Sequence, residues 1–155
     1  MLTHHYQFEP ETTAFLRKAH LQPQPRIAEG QLLVRRGVRA TIDISDGLVA
    51  DLGHLCKASE VGAILKAGQV PIHPRVKAAF PKESLDFALS GGEDYELLFA
   101  VHPSKKHLLE KRYPSTFPPL RRIGALTAGT GVRWRPVPGA QARLLAAKGY
   151  DHFRR

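Results

Sequence analysis

The chain has 155 residues, 43% of them hydrophobic, enough for one compact domain with its own core. No apolar run approaches ~18 residues, which excludes a membrane-spanning helix. The single cysteine, Cys56, excludes an internal disulfide framework. The net charge is +9, from 23 Lys and Arg against 14 Asp and Glu. Such an excess attracts anions: a phosphorylated metabolite, an acidic partner surface or nucleic acid. Its clusters (Arg35, Arg36 and Arg39; 105–112; Arg121 and Arg122; Arg154 and Arg155) read equally well as solvated surface. None forms a zinc finger, a basic zipper or a sequence-reading helix.

In chain order, residues 1–9 read as a tail or linker remnant without an apolar signal core, and 10–19 as a short helix. The domain proper is expected over 20–155. Pro23 and Pro25 interrupt the chain. Residues 27–35 have helical apolar spacing, ended by Gly37. Val38, Ala40, Ile42 and Ile44 alternate with polar residues as in a strand. Leu48, Val49, Leu52, Leu55 and Cys56 recur at helical spacing, predicting a helix over 47–58. Gly62 restarts the chain and 63–66 reads as a strand edge. Pro71 and Pro74 mark a turn before a helical piece with Val76, Ala79 and Phe80, and 85–89 suits a further short helix.

Ser90, Gly91 and Gly92 read as a turn and 95–101 as a buried strand. Pro103 can open a helix, 114–119 is a proline-rich rigid loop, and 121–124 is a short strand. Gly129 and Gly131 turn the chain into an edge strand at 132–135. Residues 140–147 are helical in composition, stopped by Gly149. The mixture predicts an α+β fold, a mixed sheet covered by helices. Strand order is not legible.

The segment TIDISDGL is the most informative stretch. It places Asp43, Ser45, Asp46 and Gly47 where a strand hands over to a helix. Carboxylate oxygens suit hard cations such as magnesium, and free N–H groups at a helix start suit the phosphates that magnesium accompanies. Ser45 can donate to a phosphate oxygen. The plainer reading is an N-cap by Ser45 or Asp46. Both readings stand, and two carboxylates require further ligands from elsewhere to hold more than one ion.

SGGEDYE is the second constellation. Gly91 and Gly92 permit unusual backbone and close approach by a ligand. Glu93 and Asp94 can accept from amino groups or face a cationic ring. A polar loop before a core strand is the plain alternative. It is neither a P-loop nor a dinucleotide fingerprint. His4, His5, His20, His54, His73, His102, His107 and His152 are scattered, with no H-E-x-x-H. Cys56 and His54, two apart on a helix, do not face each other as a nucleophile pair. Tyr95 and Trp134 read as packing residues, Phe153 as an anchor for the terminus, and Tyr150 as a pocket cap or a packing residue.

HLQPQPRIAEG at 20–30, IDISDGLVADLGHLCKASEVGA at 42–63, ALSGGEDYELLFAV at 88–101 and GYDHF at 149–153 together carry a resemblance. The chain resembles the carboxyl-terminal domain of thiamine-monophosphate kinases, in the wider group related to aminoimidazole ribonucleotide synthetase. The resemblance implies phosphorylation of thiamine monophosphate to thiamine diphosphate, with ATP as co-substrate and Mg2+ as cofactor, in the cytoplasm. It implies Asp43 and Asp46 as magnesium ligands, Ser45 as an ATP contact, and Asp94 and Tyr150 as substrate contacts. Gly47, Gly91, Gly92 and Glu93 support them. Relatives often carry tryptophan where this chain has Tyr150.

The resemblance also implies an amino-terminal domain, absent from this sequence, that carries most of the metal and nucleotide site. A partner domain is therefore expected in cis or as a separate subunit, and the chain alone is expected to be inactive. No covalent nucleophile is needed, because the phosphate of thiamine monophosphate would attack ATP directly. The alternative is a non-catalytic module that binds a metabolite or another protein. Nucleic-acid binding rests on net charge alone and a membrane partner on nothing.

Overall fold

The computed structural model describes residues 6–111, 113–137 and 139–145. Helix α1 (Pro10–Leu21) starts on proline, where a missing N–H is harmless, and runs two residues past the expected end. It buries no residue and lies along helix α4 (Pro74–Ala79). Phe15 stacks on His73 at 4.4 Å between ring centroids, and Arg75 donates to the Glu11 carbonyl at 3.2 Å. Part of the expected tail is also placed: Tyr6 and Phe8 each meet the Phe80 ring at 5.1 Å.

Helix α2 (Ile27–Arg35) ends where the sequence predicts. The Val38 N–H reaches back to the Leu33 carbonyl at 3.0 Å and the Gly37 N–H to that of Val34 at 2.9 Å. This is a Schellman motif, with Gly37 in the left-handed region at φ 72°. The hydrophobic contact that accompanies the motif joins Leu33 and Val38 in a small core with Leu109.

Strand β1 (Ala40–Asp43) pairs antiparallel with β3 (Leu97–Ala100), Ile42 opposite Leu98 and Asp43 opposite Leu97. Both strands are shorter than predicted. Tyr95 lies at φ 52°, outside the extended range, so β3 cannot begin there. The two faces of this ribbon serve different cores. Leu98 and Ile42 join the main core, while Leu97 and Phe99 pack on the small one. The alternation along the ribbon therefore separates two apolar clusters.

Helix α3 (Leu48–Ala58) buries Leu48, Val49, Leu52 and Cys56, one apolar stripe at the predicted spacing. It packs against β1, against helix α5 (Ser84–Ser90), and against a four-stranded sheet. That sheet has the order β4-β2-β5-β6, from β2 (Gly62–Lys66), β4 (Gly124–Thr127), β5 (Gly131–Arg135) and β6 (Arg143–Leu144). β2 pairs antiparallel with β4 and parallel with β5, and β5 pairs antiparallel with β6. The α+β class and the mixed sheet are as expected. Helix α6 (Pro103–Lys111) also opens on its predicted proline.

Several local expectations are corrected. Segments 63–66 and 132–135 are interior strands, not edges, since each has neighbours on both sides. The strand expected at 121–124 starts only at Gly124. Residues 143–144 are strand rather than helix. Leu144 faces Arg133, and the Leu145 N–H donates to the Val132 carbonyl at 2.9 Å. Helix-forming composition is overridden there by pairing with β5. Residues 146–155, with Tyr150, Phe153 and the GYDHF motif, lie outside the described residues.

Candidate functional site

The two constellations, more than forty residues apart in sequence, are laced into one structure. Ladder bonding continues past the strands: the Ile44 N–H donates to the Glu96 carbonyl at 2.9 Å, and the Tyr95 N–H to the Ile44 carbonyl at 2.8 Å. The Glu93 N–H then donates to the Ser45 carbonyl at 2.9 Å. Two glycines make this approach possible. A Cβ on Gly92 would lie 2.5 Å from the Ser45 carbonyl oxygen. Gly47 has φ 119°, and a Cβ there would meet the Ser90 backbone at 3.0 Å. Gly91 ends α5, its N–H donating to the Phe87 carbonyl at 2.7 Å.

The acidic turn is not capped as the plainer sequence reading had it. Gly47 is the N-cap residue of α3, and neither Ser45 nor Asp46 caps the helix. The organising group is Asp51, only 2% exposed. Its Oδ2 accepts the N–H groups of Ser45 at 3.0 Å, Asp46 at 3.1 Å and Gly47 at 3.2 Å. A carboxylate one turn inside the helix thus satisfies the three N–H groups before it. These three N–H groups are therefore not open to a phosphate. The side chains of Asp43, Ser45 and Asp46 are left without hydrogen bond or ion pair among the described residues. Asp43 is exposed, and Ser45 and Asp46 are half-buried.

Asp46, Asp51 and His54 each offer one ligand atom, all within 4.8 Å of one another. Asp51 and His54 stand at i and i+3 on α3, a spacing that puts them on one face. This D-x-x-H pattern is visible in the sequence, where His54 reads as one scattered histidine among eight. Asp43 is not in that group.

The second turn is strained. Glu93 and Tyr95 have φ 71° and 52°, rare values for residues other than glycine. The Tyr95 hydroxyl donates to Glu93 Oε2 at 2.8 Å. That bond raises the phenol's pKa, helped by the negative charge of Glu93 and, more weakly, of Asp43 and Asp46. The Tyr95 hydroxyl is thus tied within its own turn, and Trp134 packs against the main core as expected. Asp94 is exposed as a residue, yet its carboxyl is crowded enough that desolvation raises its pKa, with Glu96 adding repulsion.

Glu96 is gripped by Arg26, through Nη2 to Oε1 at 2.6 Å and Nε to Oε2 at 3.0 Å. This two-pronged pair ties the start of α2 to the strained turn, and its hydrogen bonding raises the already high guanidinium pKa further. A lone arginine after Q-P carries no sequence signal for a partner seventy residues away. Cys56 is buried and burial raises its thiol pKa, so it is no nucleophile.

The family model described as AIR synthase related protein, C-terminal domain, matches residues 3–135. The chain belongs to that family. As an AIR synthase-related C-terminal domain, it is 40% identical over 141 residues to thiamine-monophosphate kinase of Escherichia coli (strain K12). That match covers 90% of this chain and 42% of the relative. The crystal structure of thiamine-monophosphate kinase from Stenotrophomonas maltophilia K279a superposes with a TM-score of 0.75 at 35% identity, over 82% of this chain and 40% of that one. AaThiL complexed with AMPPCP and TMP superposes with a TM-score of 0.71 at 30% identity, over 95% and 43%. This AIR synthase-related domain thus spans about two fifths of the length of the curated relatives it matches. Among its described residues, no helix is long and apolar enough to cross a membrane.

Proposed function

We propose that this domain forms the carboxyl-terminal side of an ATP-dependent kinase site that converts thiamine monophosphate to thiamine diphosphate. The observation that supports this reading is the backbone lacing of the acidic turn to the glycine–acid turn, which sets the stretch carrying Asp43, Ser45 and Asp46 beside the stretch carrying Asp94. Kinship supports it: relatives over 90% of the chain are thiamine-monophosphate kinases, and a solved neighbour holds AMPPCP and TMP.

The roles follow from the chemistry of the free side chains. Ser45 donates its hydroxyl to a nucleotide phosphate oxygen. Asp94 receives the thiamine monophosphate, beside the Arg26–Glu96 pair that steadies its turn. Asp43 and Asp46, carboxylates with no cation partner among the described residues, fit a hard ion such as magnesium. Bound magnesium neutralises charge on the reacting phosphates. Asp51 keeps the turn in shape from beneath. Tyr150 is assigned to the substrate by family likeness alone.

Two carboxylates do not complete a site for two highly charged reactants. The remaining ligands are assigned to an amino-terminal domain, supplied in cis or as a separate subunit. Ile27 and Val34, seven residues apart on α2 and 65% and 71% exposed, offer an apolar face for it. Residues 20–155 are the domain in this scheme, 1–19 its leading segment, and the cytoplasm the setting, where ATP is at hand.

Calorimetric titration of the chain with thiamine monophosphate, with and without ATP and Mg2+, tests the reading. Saturable binding, weakened in Asp94→Asn, is expected. Heats identical to those of thiamine with inorganic phosphate would contradict it and favour a non-catalytic module.

A further inference from the structure

At the other end of the β1–β3 ribbon from Asp43, a cleft of about 420 Å³ opens between two turns. One turn joins α2 to β1 and the other joins β3 to α6. Its lining includes Arg39, His102 and Lys105 and no acidic residue. Arg39 and Lys105 have no carboxylate partner among the described residues, and neither do the neighbouring Arg35 and Arg36. Lys105, an exposed residue, reaches toward the turn after α2. Its Nζ lies 3.7 Å from where a Cβ on Gly37 would stand, so a residue on α6 brings its charge to the turn after α2.

His102 is fixed as well. The Ser104 N–H donates to its Nδ1 at 3.3 Å, and the Ser104 Oγ lies 2.7 Å from the same atom. With Nδ1 engaged by Ser104, Nε2 is the ring nitrogen left to meet a ligand. The cleft thus assembles an ammonium, a guanidinium and an imidazole from two segments sixty residues apart.

We propose that this cleft binds the phosphate group of a small phosphorylated molecule. Groups of these three kinds complement a phosphate dianion, and clustered cations without a carboxylate partner favour an anion among them. A nucleic-acid site would instead run as a basic stripe along a groove. Arg39 and Asp43 are four residues apart on an extended chain, roughly 13 Å. This cleft is therefore separate from the acidic turn, and its occupancy is independent of the kinase reading.

The experiment is a titration of the full chain with inorganic phosphate, followed by amide NMR at constant ionic strength in chloride. Saturable shifts at 37–40 and 100–105 are expected. Lys105→Met and Arg39→Met should each weaken the midpoint about tenfold, the loss of one charge-assisted hydrogen bond. Both sites are on the surface, so spectra of the free variants should match the parent. Lys105→Glu, which reverses the charge, should abolish saturation. Shifts that stay linear with concentration, centre on 43–47, or persist in Lys105→Glu would overturn the proposal. A short single-stranded RNA that binds at lower concentration than phosphate and shifts Arg121 and Arg122 as well would overturn the small-molecule assignment.

Discussion

Three successive N–H groups, of Ser45, Asp46 and Gly47, converge on one oxygen of Asp51. Removing that oxygen leaves three donors without an acceptor in a part-buried turn. Asp51→Ala should therefore cost about 3 kcal/mol or more in urea unfolding, and Asp51→Asn clearly less, since an amide oxygen can still accept. Equal losses for the two would mean that the bonds do not hold the turn. Asp94 makes a pH prediction. Its folded pKa is raised, so the folded state holds that proton more tightly and stability falls as pH rises from the ordinary carboxylate value through the raised one. Asp94→Asn should stabilise the fold above that window and not below it, measured by urea midpoints across the acid range. A variant that gains nothing at neutral pH would contradict the crowding around Asp94. Sequence chemistry singled out Asp43, Ser45, Asp46 and Asp94 and passed over Asp51, which reads there as one more polar residue on a helix. Its role depends on a side chain curling back over the turn, which apolar spacing does not report.

At the scale of elements, the helices and the strands β1 and β3, though not their pairing, were legible because each carries a period or a punctuating Gly or Pro. α2 shows this well, since Gly37 and Val38 complete the Schellman motif that the sequence announces. β6 was not legible, because Arg143 and Leu144 become strand only by pairing with β5. The inner position of β2 was hidden for the same reason, as its neighbours β4 and β5 lie sixty residues downstream. The joint between the two turns depends on Gly92. Gly92→Ala sets a methyl against the Ser45 carbonyl and should cost about 1–3 kcal/mol, with faster amide exchange at Glu93. Unchanged protection there would show that the turns are not locked together. The Arg26–Glu96 pair is geometrically good, but Glu96 is half-exposed and solvent screens it. A double-mutant cycle should give about 0.5–1 kcal/mol of coupling. A value near zero would remove Arg26 from the support of the turn.

Over the whole molecule, charge and chemistry divide between the ends of one ribbon. The acidic end gathers two turns whose free oxygens suit a cation and its phosphates, and the basic end gathers cations around a cleft. The α+β class could be read from the alternation of periods, but the split into a ribbon between two cores could not, since both faces of β3 are apolar. The domain matches only about two fifths of the length of its curated relatives, and in the proposed scheme its acidic end is one side of a larger site. The central claim is that Asp43 and Asp46 hold a divalent ion at the joined turns. Paramagnetic broadening of the chain's amide NMR signals by trace Mn2+ tests it most directly. The predicted result is selective broadening at 43–47 and 92–96, reversed by excess Mg2+ and weakened in both Asp43→Asn and Asp46→Asn. Broadening that centres elsewhere, or that survives in both variants, would contradict it.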